Sequence, residues 1–268
     1  MRQEKENNGK KYAAPAVDSL LDILEFMAKN PRPFGPTELS KTLGISANLV
    51  FRVMKRLVER KYAEATEDGT YSLSTRFFSL GMTLHSNFDL RRRARKHLEK
   101  LCEATGETCQ IQIPDGDRML VLDSANPPTE FFFQVIPGSR LHYHANAFGK
   151  AVLAFMDEEE MIHILPEKFP IFTDNTVTSM KKLKVELEEI AKNAIAYDNE
   201  EYLKGIFCIG APVLDVMGKA CAGVGMTGIS SRFDSAFRKK LEQMVLLCAE
   251  KISSDIGYAG EFFKEFTR

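Results

Sequence analysis

Asn48, Arg52, Lys55 and Arg56 are separated by four, three and one residues, a spacing that on an α-helix gathers them onto one polar, basic stripe. An asparagine amide can pair with an adenine edge, and arginine can pair with guanine or with phosphate oxygens. At the start of the same segment the short side chains of Ala47 and Asn48 can reach base edges, and Phe51 lies beside the stripe. The alternative for an isolated stripe of this kind is a plain solvated helix face, so the elements around it bear on its meaning.

Those elements form a pattern. Val17, Leu20, Leu21, Leu24, Met27 and Ala28 recur at helical spacing between Pro15 and the break at Asn30-Pro31. A second short helix starts near Pro36, turns Leu39 and Leu43 inward and stops at Gly44, a residue suited to a left-handed cap. After the tight turn Gly44-Ile45, Ser46 caps a third helix running to about Lys61, with Leu49, Val50, Val53, Met54 and Leu57 on its buried side. Helix, tight turn, helix is the geometry that lays a second helix in a DNA major groove. Residues 63–73 then read as two short strands around Glu67-Asp68-Gly69-Thr70, where Asp-Gly signals a hairpin. A hairpin after a recognition helix is a wing. The candidate DNA contacts are therefore Ser46, Ala47, Asn48, Phe51, Arg52, Lys55 and Arg56, with Thr70 from the wing.

Charge is distributed accordingly. The whole chain of 268 residues has a formal charge of −1, but residues 1–85 carry +3, residues 86–100 carry +4 and the remainder carries −8. Only the first hundred residues suit a polyanion. The run Arg91-Arg92-Arg93-Ala94-Arg95-Lys96 is either a second DNA contact or the exposed face of an interdomain helix.

Length predicts two domains. The expected layout is a flexible tail over 1–14, a winged helix-turn-helix over 15–73, a linker helix over 74–89, a sensor domain over 90–257 and a C-terminal tail over 258–268. No apolar run approaches the roughly 20 residues of a membrane span, and the polar N-terminus lacks a secretory signal, so a cytoplasmic protein is expected. Five cysteines without a C-x-x-C pair predict reduced thiols rather than disulfides or a zinc site.

From Leu39 to Ser46, and through the helix that carries Arg52, the chain resembles the IclR family of bacterial transcriptional regulators. Later segments agree in order: Asp68 to Leu73, Leu80-Gly81, Thr105 to Thr108, His144 to Phe155, Tyr197 to Tyr202, Gly205 to Val213 and Gly228 to Phe233. The chain departs from the family pattern at Ala47-Asn48-Leu49 and at Gly225 and Thr227, where choice of operator and of ligand would be set. The resemblance implies a regulator whose C-terminal domain has an α/β, GAF- or profilin-like fold and binds a small effector.

Periodicity by itself also gives an α/β second domain. Strands are expected near 109–113, 119–123, 130–135, 141–144, 205–213 and 220–226. Helices are expected from Ala147 to Met156, after a capping box at Asp157 to Glu160, from Ser179 to Asn193, and at the end of the chain, where Phe237, Leu241, Met244, Val245 and Cys248 share a side.

Enzyme-like motifs dissolve on inspection. Gly223 to Gly228 satisfies G-x-G-x-x-G, but no helix starts at its end and no further βα unit follows, so the glycines read as sites of close backbone approach. His142 and His144 share a face without a third ligand at a diagnostic spacing, and Cys208 sits among apolar residues that favour an inert thiol. No catalytic residue, cofactor or metal is expected.

The effector site is placed where an anion finds donors. The helix beginning at Ala147 offers backbone N–H groups at Ala147, Phe148 and Gly149 to a carboxylate. The family resemblance puts these positions in the ligand site together with Asp198, Ile206, Cys208, Gly225 and Thr227, and Phe133 is a further apolar wall. Asp198 would accept a ligand hydroxyl; the alternative is that it only caps the turn before Asn199. The expected partners are an operator in double-stranded DNA, a small carboxylate effector and other copies of this chain. One recognition helix covers few base pairs, so a homodimer is the minimum. The resemblance extends this to a homotetramer, with the N-terminal helix and the linker joining the DNA-binding domains. The sequence specifies neither repression nor activation.

Overall fold

The computed structural model describes residues 14–80, 89–233 and 235–266. They divide into two compact units, the first ending at Phe88 and the second beginning at Asp89. The expected N-terminal tail, apart from Ala14, lies outside the described residues, as do residues 81–88 of the expected linker helix; residues 76–80 are helical.

The first unit consists of α1 (Pro15–Lys29), α2 (Pro36–Leu43), α3 (Ala47–Glu59) and the antiparallel pair β1 (Ala63–Ala65) and β2 (Tyr71–Leu73). Proline opens both α1 and α2, where its missing N–H costs no bond. Gly44 ends α2 at φ +67°, and the Ser46 hydroxyl accepts the Leu49 N–H at 3.4 Å, so the tight turn and the helix start are both set locally. Phe34 exchanges two backbone hydrogen bonds with Tyr71, both 2.9 Å, and ties the α1–α2 connection to the hairpin. Ile23, Met27, Phe34, Leu39, Val50, Met54, Leu57, Ala63 and Tyr71 form the core. Helix α1 is turned so that Ile23 and Met27 enter this core, while Val17 and Leu21 stay about half exposed. A unit this small cannot cover a stripe that wide.

The second unit is a six-stranded antiparallel sheet in the order β5-β4-β3-β8-β7-β6, from β3 (Thr108–Asp115), β4 (Arg118–Ala125), β5 (Arg140–Leu141), β6 (Ala196–Asn199), β7 (Ile206–Leu214) and β8 (Ala220–Ile229). Its helices are α4 (Leu90–Thr105), α5 (Ala147–Leu153), α6 (Glu158–Ile164), α7 (Met180–Asn193) and α8 (Ser235–Asp255). Side chains alternate across a strand, and here the alternation separates two chemistries. Ile209, Ala211, Val224 and Met226 face one way, the side on which α4 and α8 pack. Gln110, Gln112, Cys208, Gly210, Gly223, Gly225 and Thr227 face the other. There α5 lies directly on β7 and β8, with all seven of its residues buried. A Cβ on Gly210 would come within 2.9 Å of the Ala147 carbonyl group, and one on Gly223 would collide with the Phe148 carbonyl oxygen. Close backbone approach is expected at Gly223 and Gly225; Gly225 lies against the neighbouring strand at Ile209, whereas at Gly223 the approaching backbone is that of α5, and Gly210, where it is not expected, plays the same part.

Several expectations need correction. Residues 130–135 are not a strand but an irregular segment, held by Thr108 Oγ1 donating to the Phe133 carbonyl (2.7 Å) and Ser124 Oγ to that of Val135 (3.1 Å). The free edge of β4 is taken by Arg140–Leu141 instead, and His142 to His144 turn away into the start of α5. Strand β6 escapes a propensity reading because Ala-Tyr-Asp-Asn is not a β-rich run. Asp157 makes no side-chain cap; its carboxylate pairs with Lys219 at 3.0 Å. The described part of the expected C-terminal tail, residues 258–266, is not a tail: residues Phe262–Glu265 form a 3-10 turn with Phe263 buried and Phe262 edge-on to Phe155, and residues 267–268 lie outside the described residues. Aromatic residues so close to the end find core to cover.

Replacing Gly223 with alanine should lower the unfolding free energy by about 1–3 kcal/mol, read by urea denaturation. Gly35→Ala is the comparison: that glycine has extended backbone and open space, so no collision arises and the cost is only that of placing alanine at the N-cap of α2, about 1 kcal/mol or less.

Candidate functional sites

Helix α3 buries Val50, Met54 and Leu57 and leaves Ser46, Ala47, Asn48, Phe51, Arg52, Lys55 and Arg56 exposed, so the basic stripe exists as a surface. The Lys55 ammonium stands 5.6 Å from the Phe51 ring. Arg56 pairs with Glu59 at 2.7 Å, both largely exposed, an i,i+3 pair worth only tenths of a kcal/mol and readily exchanged for a phosphate. Among the described residues Arg52 has no carboxylate partner. Thr70 is different: its hydroxyl donates to Asp68 at 2.8 Å and lies 2.6 Å from the Thr66 hydroxyl. The Thr66 hydroxyl, followed by that of Thr70, holds the Asp68 carboxyl below its ordinary range. Thr70 thus fastens the wing turn.

Four cations of the basic run on α4, Arg91, Arg93, Arg95 and Lys96, are engaged within their own unit. Arg91 and Arg95 reach the buried Asp123 at 3.4 and 3.3 Å, Lys96 and His97 reach Asp255 at 2.7 and 2.8 Å, and Arg93 donates to the Asp255 backbone carbonyl at 2.7 Å. These pairs support the helix-face reading of the run.

On the polar side of the second unit's sheet lies a cavity of about 230 Å³. Of the nine residues expected at the effector site, Phe133, Phe148, Asp198, Ile206, Cys208 and Thr227 line it. The other three do not: Ala147 backs onto Gly210, Gly149 lies against the Tyr143 backbone, and Gly225 pairs with Gln110 across the sheet. The N-terminus of α5 is also less open than the sequence suggests, because the Asn146 side chain already accepts the Phe148 N–H at 3.2 Å. Sequence reasoning missed Gln110, Gln112, Asn146, Arg140 and Tyr202, which also line the cavity. The signal available was Gln-x-Gln, two polar residues on one face of a strand otherwise built to be buried.

A one-way chain of hydrogen bonds crosses the cavity floor. Asn146 Nδ2 donates to Gln112 Oε1 (2.6 Å), Gln112 Nε2 to Gln110 Oε1 (3.0 Å) and Gln110 Nε2 to Thr227 Oγ1 (2.7 Å). The Thr227 hydroxyl donates to Cys208 Sγ (3.3 Å), and the thiol points on to Asp198 Oδ2 at 3.8 Å. All six residues are buried. The other oxygen of Asp198 accepts the N–H groups of Glu201 (2.7 Å) and Tyr202 (3.4 Å), so Asp198 both caps its turn and faces the cavity. Burial pushes its carboxyl up to about 6 against these bonds and the charge of Lys150. Burial likewise pushes the Cys208 thiol well above its usual value, as befits an inert group.

Behind the turn, the fully buried Lys150 of α5 donates to both oxygens of Glu201 (2.7 and 2.8 Å) and to Glu186 of α7 (2.7 Å). Burial raises Glu201 to about 7 even so. His142 and His144 have ring centroids 5.6 Å apart and pack on Phe172 and Phe169; burial lowers both pKa values. Among the described residues no group of three His, Cys, Asp or Glu side chains is placed to hold a metal, and no helix is long and apolar enough to cross a membrane.

Comparison with known proteins is consistent across the chain. The IclR helix-turn-helix domain model matches residues 16–67, and the model of the bacterial transcriptional regulator IclR C-terminal region matches residues 82–254. The HTH-type transcriptional regulator BhcR of Paracoccus denitrificans is 32% identical over 240 residues, 89% of this chain and 86% of that protein. KdgR of Escherichia coli is 30% identical over 245 residues, 91% of this chain and 93% of its own length. The crystal structure of Thermotoga maritima IclR superposes with a TM-score of 0.61 at 29% identity, covering 90% of this chain and 98% of that one.

The raised carboxyl of Asp198 sets a pH dependence. The folded protein keeps this proton up to about pH 6, whereas an unfolded aspartic acid releases it near 4. The folded state therefore binds more protons between those values, and the stability this group supplies at low pH is lost as pH rises through the window. Relative to Asp198→Asn, the wild type should lose stability from about pH 4 to 6, at up to roughly 1.4 kcal/mol per unit, and hold level above. Urea melts across that range check it; a flat or rising difference contradicts it.

Proposed function

Because this chain belongs to the IclR family and is a DNA-binding transcriptional regulator, we propose that it reads its operator through α3 and the wing and that a small organic acid bound in the second unit controls that reading. The observation that carries the proposal is the pairing, in one chain, of a capped helix with an exposed basic stripe and a cavity whose buried polar groups satisfy one another only in part.

Ser46, Ala47, Asn48, Phe51, Arg52, Lys55 and Arg56 form the surface offered to the major groove. Asn48 and Arg52 are placed for base edges; Lys55 and Arg56 are placed for phosphates. Thr70 contributes by fixing the wing's shape. Phe133, Phe148, Ile206 and Cys208 are the apolar walls of the effector site, with Asp198 and Thr227 as its polar floor; Ala147, Gly149 and Gly225 support these from behind. The acid's carboxylate has as its partner Arg140, a cavity-lining cation that pairs with Asp115 at 2.5 Å and shares its remaining N–H donors with the ligand. The regulator acts in the cytoplasm as a homodimer or a homotetramer, since paired half-sites multiply the affinity of one recognition helix.

Arg52→Ala should weaken binding to DNA selected from a random-sequence library by at least about tenfold, as loss of a base contact worth roughly 1–3 kcal/mol implies, with the melting temperature unchanged. Asn48→Ala should alter base preference more than total affinity. Lost folding in either variant, or unchanged binding in both, overturns the assignment. Light scattering that finds a monomer at micromolar concentration, with and without DNA, overturns the oligomer.

A further inference from the structure

We propose that the effector is a polyhydroxylated carboxylic acid, with its chain oxygens on the amides of Gln110, Gln112 and Asn146, a hydroxyl donating to Asp198, and its carboxylate toward Arg140. This rests on the effector reading of the cavity and narrows its ligand.

The argument is an inventory of what the hydrogen-bond chain leaves over. A primary amide has one oxygen and two N–H donors. The oxygen of Gln110 is taken by Gln112, that of Gln112 by Asn146, and that of Asn146 by the Phe148 N–H. Each amide spends one N–H in the chain, with Gln110 donating to Thr227. The donor left over on each of the three is a single N–H, on side chains that line the cavity, beside the second lone pair of its oxygen. The middle of the site therefore offers an unspent donor on every amide. Its end at Asp198 is the reverse: Oδ1 is taken by two backbone N–H groups, and Oδ2 meets only a weak thiol donor at 3.8 Å. That end accepts.

A ligand that completes this pattern offers oxygens along its length and a donor at one terminus. Hydroxyl groups do both, since each accepts from an amide and donates onward. A hydrocarbon or aromatic acid would leave buried N–H groups and a carboxylate oxygen unmet. The orientation follows from charge. Arg140 and Asp198 are the charged side chains of the lining, on β5 and β6, the two opposite edges of the sheet. Arg140 already pairs with Asp115 at 2.5 Å, so a ligand carboxylate competes for its remaining N–H donors, whereas Asp198 repels it outright.

Calorimetry on the full-length chain with aldonates of four to six carbons, each against the fatty acid of equal length, and with benzoate, tests the proposal. At least one aldonate should bind ten or more times more tightly than its deoxygenated partner, and Gln112→Leu should abolish that preference. Should Gln112→Leu fail to fold, the wild-type comparison still decides. A fatty acid or benzoate binding as well as the aldonates overturns the hydroxyl requirement while leaving the organic-acid reading standing. Aldonates and unsubstituted acids all failing to bind overturns both.

Discussion

Much of the second unit depends on how closely α5 lies on the sheet. Gly210 and Gly223 remove the side chains that would hold the helix off, and its backbone at Ala147 and Phe148 settles onto β7 and β8. That depth brings Asn146 to Gln112, sets Phe148 in the cavity wall, and carries Lys150 to Glu201. One contact thus positions the start of the polar chain, a wall of the site, and the ion pair behind the turn that carries Asp198. Loss of the close approach would disturb all three.

The same arrangement explains why a protein tolerates so much buried polarity. A half-satisfied buried donor costs about 1–3 kcal/mol, and a buried ammonium is stable only with its carboxylates in place. Lys150 has two. The amides satisfy one another along the chain and each keeps one N–H that faces the cavity. Those N–H groups select among ligands, so the polar floor provides selectivity. Among the described residues of the first unit the core is apolar, and the polar stripe lies on the outside of α3.

Much of this was legible in the sequence because it is local. Pro36, Gly44 and Ser46 mark helix ends by backbone chemistry, and Asp68-Gly69 marks the wing. Arg52 and Arg56 reach the surface because Val50, Met54 and Leu57 leave the helix no other way to turn. The second unit was less legible where it depends on pairing across the chain. Residues 130–135 look like a strand by composition, but β4 has its edge filled by Arg140 and Leu141. Gln110 and Gln112 acquire meaning only once Asn146 and Thr227 are known to lie beside them. Phe263 reads as tail until it is seen to be buried with Tyr258 beside it.

Control of DNA binding by an acid in the cavity requires that the two sites share free energy, and that coupling is reciprocal. The most direct test is to measure operator affinity with and without the acid that calorimetry identifies, and the affinity for that acid with and without operator. The account predicts that both change by the same factor and that Asp198→Ala removes the change in each. An acid that binds the cavity while operator affinity stays constant would contradict it.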